Sequence, residues 1–113
     1  MSNDRLAIVK KAWQKLSGGA ATCSLEKICG SFNAPAHPRV ASREKRAENV
    51  MATFVELMSE KATNGQVSEE AFIDFYADVN ACLPAERESY FIDSVLKVWG
   101  LNGTAVTVPA ARL

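Results

Sequence analysis

The sequence predicts an all-α protein, and three observations support this prediction. Apolar residues recur at helical spacing in five segments of the 113-residue chain. Glycine and proline residues interrupt the chain between these segments, as expected for loops that connect helices. Strand patterns are nearly absent, apart from isolated residues in two interhelical loops and the stretch from Val106 to Val108.

The first two helices are short and amphipathic. The first is predicted from Asp4 to Leu16, where Gly18 and Gly19 end it, and Ser24 is a suitable N-cap for the second. The apolar positions predicted to face the core are Leu6, Val9, Trp13 and Leu16 in the first helix, and Leu25, Ile28 and Phe32 in the second.

A polar, basic linker from Arg39 to Arg46 runs into the third helix, which the fourth follows. The third helix is predicted from Ser42 to Ser59, and Asn64-Gly65 stops the chain before Ser68 caps the fourth helix. The apolar positions of these two helices are Ala47, Val50, Phe54, Leu57 and Met58, then Phe72, Phe75, Tyr76 and Val79.

The fifth helix carries more apolar surface than one packing contact needs. Pro84 suits its first turn, Glu86 and Glu88 favour the positive end of the helix dipole, and Gly100 marks its end. One stripe, Phe91, Val95 and Val98, is predicted to close the core, and the other, Ile92, Leu96 and Trp99, to bind a partner. The predicted core residues of the whole domain are Trp13, Phe54, Phe72, Phe75 and Phe91. Residues 1–101 form the predicted domain, and residues 102–113 a flexible tail.

One unit occurs twice along the chain: a helix, a glycine-containing loop, a single apolar residue, a capping Ser and a second helix. In this repeat Cys23-Ser24 corresponds to Val67-Ser68. The arrangement resembles a pair of EF-hands, whose two loops pair through the apolar residue at the eighth loop position. A closer resemblance, to the C-terminal EF-hand pair of calcyphosine-like proteins, covers Ala12 to Leu101. The segments that carry it are Gly30 to Ala34, His37 to Arg39, Gly65 to Val79, Tyr90 to Ile92 and Val98-Trp99.

The resemblance implies calcium-binding loops, but the first loop departs from that pattern. An EF-hand loop needs carboxylates near its start and a bidentate Glu at its twelfth position. The loop from Ser17 to Lys27 is one residue short and carries Gly and Ala residues where acids belong. Lys27 occupies the position of the bidentate Glu, where its charge would repel calcium.

The second loop also lacks principal ligands. With Gly65 at the sixth position, Ala62 and Ala71 occupy the third and twelfth positions, which leaves Glu60 and Asn64 as ligands. A shifted register would make Glu70 the bidentate residue. That register would place Ser59, Lys61 and Thr63 among the early ligands and Gln66 in the buried eighth position. We expect no metal or other cofactor, and a weak calcium sensor using Glu60, Asn64 and Glu70 is the alternative.

Other function classes have little support in the sequence. Thirteen basic residues balance thirteen acidic ones, so no net charge favours nucleic acid or an anionic membrane. No apolar run is long enough to span a membrane. The three cysteines are predicted to pack as small apolar residues. A small enzyme or redox protein using Cys29 or Cys82 with His37 is the least favoured hypothesis. The chain contains a single histidine, and no activated nucleophile can be identified beside it.

The sequence therefore predicts a non-catalytic, soluble adaptor that has lost calcium binding. Its partner is expected to be an amphipathic helix of another protein, or a second copy of the chain. The start of the chain lacks a signal-peptide pattern, so a cytoplasmic location is expected, with cytoskeletal or flagellar association implied by the resemblance. Ala111-Arg112-Leu113 resembles a peroxisomal signal, and Ser42 follows Arg39 at the spacing of a basophilic kinase site.

Overall fold

The computed structural model of the chain describes residues 1–101. The predicted tail, with the stretch Val106 to Val108 and the signal at Ala111-Arg112-Leu113, lies outside the described residues.

Helices dominate the described part of the chain, and the all-α prediction is confirmed. Two short strands pair between the helices. The elements are α1 (Asn3–Ser17), β1 (Thr22–Ser24), α2 (Leu25–Ser31), α3 (Pro38–Ala41), α4 (Ala47–Lys61), β2 (Gln66–Ser68), α5 (Glu69–Ala81) and α6 (Glu88–Val98), with 3-10 turns at Ala34–Ala36 and Ala85–Arg87. Within residues 1–101, no helix combines the length and the apolar character that crossing a membrane requires.

The two predicted capping serines begin α2 and α5 as expected. The Ser24 hydroxyl accepts a hydrogen bond from the main-chain N–H of Lys27, and the Ser68 hydroxyl accepts one from that of Ala71, both at 3.1 Å. Each hydroxyl thus satisfies a donor that a helix N-terminus leaves without a partner. These contacts confirm the capping prediction.

The predicted start of the third helix, at Ser42, is wrong. Ser42 instead caps the end of α3, a single turn that begins at Pro38, just before the predicted linker, and α4 begins at Ala47. The carbonyl of Arg39 accepts the N–H groups of Glu44 and Lys45 at 2.9 and 3.0 Å, which turns the chain away from a helical path. The segment between Ser42 and Ala47 therefore connects two helices.

The core is an aromatic cluster shared by α1, α4, α5 and α6. Its buried members include all five predicted core residues: Trp13, Phe54, Phe72, Phe75 and Phe91. Leu57, also predicted to face inward, is 42% exposed. Met58, which was also predicted to face inward, is buried, because it lies four residues after Phe54 and residues four apart share one helix face.

Arg5 is a buried residue that the sequence pattern did not single out. Its guanidinium donates hydrogen bonds to the carbonyl groups of Leu83 and Pro84 at 3.0 and 2.8 Å, and to the side chains of Asn80 and Glu88 at 2.8 and 3.2 Å. These contacts attach α1 to the connection between α5 and α6. The guanidinium also lies 5.0 Å from the centre of the Phe91 ring, which adds a cation–π contact.

Lys15 connects the other end of α1 to the end of α6. Its ammonium group donates to the carbonyl oxygens of Trp99 and Gly100 at 2.9 and 2.7 Å. A cation at a helix C-terminus satisfies open carbonyls and complements the helix dipole. Arg5 and Lys15 therefore fix the two ends of α6 against α1.

Candidate functional site: two helix-linking loops and an apolar groove

The two interhelical loops meet as an antiparallel strand pair. Cys23 lies opposite Val67, which is the pairing that the internal repeat predicts, and both side chains are buried. The main-chain N–H of Leu25 also donates to the carbonyl of Gly65 at 2.9 Å. The two helix-loop-helix units are thus joined through their loops, as in a pair of EF-hands.

The second loop is closed by a tight turn at Asn64-Gly65. Asn64 has a φ of 52° and Gly65 a φ of 75°, the positive values that a type I′ hairpin turn requires at both central residues. Thr63 and Gln66 exchange main-chain hydrogen bonds of 2.8 and 3.0 Å across this turn. In the register with Gly65 at the sixth position, the carbonyl of Gln66 is the seventh-position ligand of an EF-hand. That carbonyl instead accepts the N–H of Thr63.

The side chains that could supply further oxygen ligands in the second loop face solvent. Glu60, Asn64 and Glu70, the residues of the calcium alternative, are all exposed. Among residues 1–101, no group of three or more His, Cys, Asp or Glu side chains lies close enough to hold a metal ion. Ala71, at the twelfth position, offers no side-chain oxygen. In this register Ala62 and Ala71 thus supply no side-chain oxygen at two positions that ligate calcium in an EF-hand.

Lys61 lies at the end of α4, where it pairs with two acids of α5. Its ammonium lies 2.6 Å from a carboxylate oxygen of Asp74 and 2.9 Å from one of Asp78. The hydrogen bonds that Lys61 donates to these carboxylates raise its pKa. The contact joins α4 to α5 beside the second loop and engages two carboxylates of this region.

The first loop uses its polar groups within the chain. Gly18, with a φ of 65°, ends α1 in the left-handed region, and its N–H donates to the carbonyl of Gln14. The Ser17 hydroxyl donates to the carbonyl of Trp13 at 2.8 Å and accepts the N–H of Gly19 at 3.1 Å. Lys27 is exposed. This loop is a helix cap followed by a strand.

The prediction that Trp99 lies on an exposed, partner-binding face of α6 is wrong. This residue is 4% exposed, and its indole N–H donates to the hydroxyl of Tyr76 at 2.7 Å. Burial raises the pKa of Tyr76, so the phenol stays neutral. The Trp99 ring also contacts the rings of Phe32, Phe54 and Phe72.

The other two residues of this predicted face, Ile92 and Leu96, are half-buried and pack against the core. The physical reason is that α6 lies along α1 and against the aromatic residues of α5, so both apolar stripes face the protein.

An apolar groove lies between α4, α5 and α6. We call it the α4–α5 groove; its volume is about 370 Å³. Its buried lining includes Phe54, Phe75, Tyr76 and Val98, and its more accessible lining includes Val50, Thr53, Leu57, Val79, Cys82 and Leu83. The exposed Leu57 thus lines the groove.

One end of the α4–α5 groove is basic. His37, Arg39 and Lys45 line it there, next to Tyr90. The Arg39 guanidinium donates from Nε to the Tyr90 hydroxyl at 3.1 Å, and this hydrogen bond raises the pKa of Arg39. Arg87 lies over the same ring at 4.7 Å.

His37 is held as a helix cap. Its Nδ1 accepts the main-chain N–H of Arg39 at 3.1 Å at the start of α3. Burial, together with the charges of Arg39 and Lys45, lowers the pKa of His37. The neutral imidazole is the form that can accept this hydrogen bond.

The three cysteines have different environments. Cys23 is buried and Cys29 is half-buried, and burial raises the pKa of the Cys29 thiol. Cys82 is exposed at the end of α5, which contradicts its prediction as a packed apolar residue. It follows the last helical turn, where the chain leaves the core. Cys82 and His37 both line the α4–α5 groove.

Comparison with known proteins shows similarity to a calcium-binding protein. Crustacean calcium-binding protein 23 of Faxonius limosus is 25% identical to this chain over 101 residues. The match covers 88% of this chain and 49% of the relative, so the chain spans about half the length of that protein. No family model matches the chain. The comparison supports the EF-hand-like resemblance at the level of calcium-binding proteins, and the finer resemblance to calcyphosine-like proteins stays a prediction.

Proposed function

We propose that this chain is a non-catalytic protein-interaction domain of EF-hand-like design that has lost calcium binding. Its α4–α5 groove binds an amphipathic helix of another protein. The observation that carries the proposal is an apolar groove with an exposed leucine, beside loops that are closed by their own main-chain hydrogen bonds.

The loop geometry supports a groove that does not depend on an ion. In calcium sensors, ion binding opens a helix pair and exposes an apolar groove. In this chain the carbonyl of Gln66 is already bonded to Thr63, and Ala71 replaces the bidentate Glu. Core packing against α6 holds the helices in place instead. The groove is thus part of the resting structure, and a partner would bind without a calcium signal.

The absence of catalysis is part of the same proposal. A nucleophile needs a base within hydrogen-bond reach to be activated. The Nδ1 atom of His37 is occupied by the N–H of Arg39, and burial disfavours the Cys29 thiolate. These two features favour structural roles for both residues.

Calcium binding through the second loop is the alternative function. The similarity to a calcium-binding protein favours it, and Glu60, Asn64 and Glu70 would be the ligands. In this alternative the turn between Thr63 and Gln66 has to open before the loop can surround an ion. Calorimetry therefore separates the two functions.

A matched pair of substitutions on α4 tests the groove. Leu57 and Val55 are exposed apolar residues of the same helix, at 42% and 36%, but Leu57 lines the groove and Val55 does not. Partners captured from the native cell by the parent should be lost with Leu57→Asp and kept with Val55→Asp. Capture should be equal in calcium and in chelator. Loss of the same partners with both variants, or capture that requires calcium, would contradict the proposal.

A further inference from the structure

The charges that line the α4–α5 groove all have one sign. Arg39 and Lys45 are the charged residues among its lining, and no carboxylate lines it in the described part of the chain. Neither side chain forms an ion pair with an acid among residues 1–101. The nearby carboxylate of Glu44 accepts the hydroxyl of Ser42 at 3.2 Å. The groove therefore offers two cations at one end and apolar side chains along the rest.

The basic end is held in a defined position. The Nε–H of Arg39 is bonded to Tyr90, while the planar guanidinium still has further N–H donors. Lys45 is exposed on the segment that leads into α4. A fixed guanidinium beside an apolar groove is well suited to a carboxylate, which it can meet through two parallel hydrogen bonds.

This charge distribution specifies a partner chemistry, given that the groove binds a helix as proposed above. We infer that the partner helix carries carboxylate groups at one end, next to an apolar stripe. The apolar stripe lies against Val50, Leu57 and Val79, and the carboxylates meet Arg39 and Lys45. Nucleic acid does not match this surface, because a phosphate backbone needs positive charge along its length.

Four synthetic helical peptides of identical apolar stripe test this inference. Two of the peptides carry three Glu residues each. The first peptide carries them at its N-terminal end and the second at its C-terminal end, because either direction of the bound helix would place one acidic end next to Arg39 and Lys45. The third carries Gln at both ends, and the fourth carries Lys. Fluorescence anisotropy of labelled peptides should show one acidic peptide binding about tenfold tighter than the Gln peptide at low salt, the effect expected of one or two partly shielded ion pairs. The preference should shrink as salt rises.

Two charge reversals provide the matched control. Lys45→Glu should abolish the preference for the acidic peptide, whereas Lys10→Glu, on the exposed face of α1, should leave it unchanged. Both side chains are exposed, so both variants should keep the parent melting curve. Equal effects of the two reversals would show a long-range charge effect and overturn the assignment of Lys45.

The remaining outcomes separate this inference from the proposed function. If all four peptides bind equally and Leu57→Asp weakens them, the groove binds helices but the inference about charge fails. If none binds, groove docking itself fails. If sedimentation shows a dimer that is lost with Leu57→Asp, the α4–α5 groove binds a second copy of the chain. If deletion of residues 102–113 makes the peptides bind more tightly, the groove binds the chain's own tail. Either result would overturn the inference.

Discussion

Replacing Arg5 with Ala should destabilise the protein strongly, because this one side chain connects three helices. The guanidinium donates four hydrogen bonds, to Asn80, Leu83, Pro84 and Glu88, and its side chain is 3% exposed. A hydrogen bond to a charged group contributes about 1.5 to 3 kcal/mol net. The sum has to be reduced, because the side chain of Glu88 is 35% exposed and water can reach part of the site.

The expected loss for Arg5→Ala is about 3 to 4 kcal/mol, a large share of the about 5 to 15 kcal/mol that stabilises a typical domain. Urea unfolding followed by circular dichroism measures it. Arg5→Lys should lose less, since it keeps the charge but not the planar fork. Lys10→Ala, on the exposed side of the same helix, should be neutral. An Arg5→Ala variant within about 1 kcal/mol of the parent would refute this reasoning.

Two further substitutions test the packing of α6 and the helix cap at His37. Trp99→Glu should unfold the protein or lower its melting temperature sharply, because it places a charge among aromatic rings and removes the donor to Tyr76. A melting curve like that of the parent would show that Trp99 is exposed in solution. The lowered pKa of His37 means that folding favours the neutral imidazole, so its contribution to stability is present above pH 6.5 and is lost as the pH falls below that value. His37→Asn can still cap α3 but cannot titrate, so its free energy of unfolding should fall less than that of the parent between pH 7.5 and 5; identical losses would exclude this role.

Local sequence patterns predicted much of the architecture. The helix faces follow from apolar spacing, and the caps at Ser24 and Ser68 follow from side-chain chemistry within four residues. The pairing of Cys23 with Val67 is a long-range contact, yet the internal repeat predicted it, because equivalent positions of two similar units face each other. These features depend on local sequence patterns or on the equivalence of the two repeats.

The features that the sequence did not predict depend on tertiary packing. Arg5 lies on a helix whose other cations are exposed, and no local signal shows that four acceptors converge on it. The burial of Trp99 depends on how α6 packs across the two helix-loop-helix units. The late start of α4 depends on two hydrogen bonds to the Arg39 carbonyl. The sequence did not predict the α4–α5 groove for the same reason, because the position of Leu57 in its lining follows from how α4 packs against α5.

Calcium titration of the whole chain by calorimetry tests the central claim most directly, with a thermal melt in calcium against chelator as the second readout. The account predicts no binding heat and an unchanged melting temperature at about 1 mM calcium, because Lys27 and Ala71 occupy the positions of the two bidentate ligands. A micromolar isotherm, or a melting temperature raised by several degrees, would contradict it. Loss of that binding with Glu70→Gln would then identify the second loop as a calcium sensor in the shifted register.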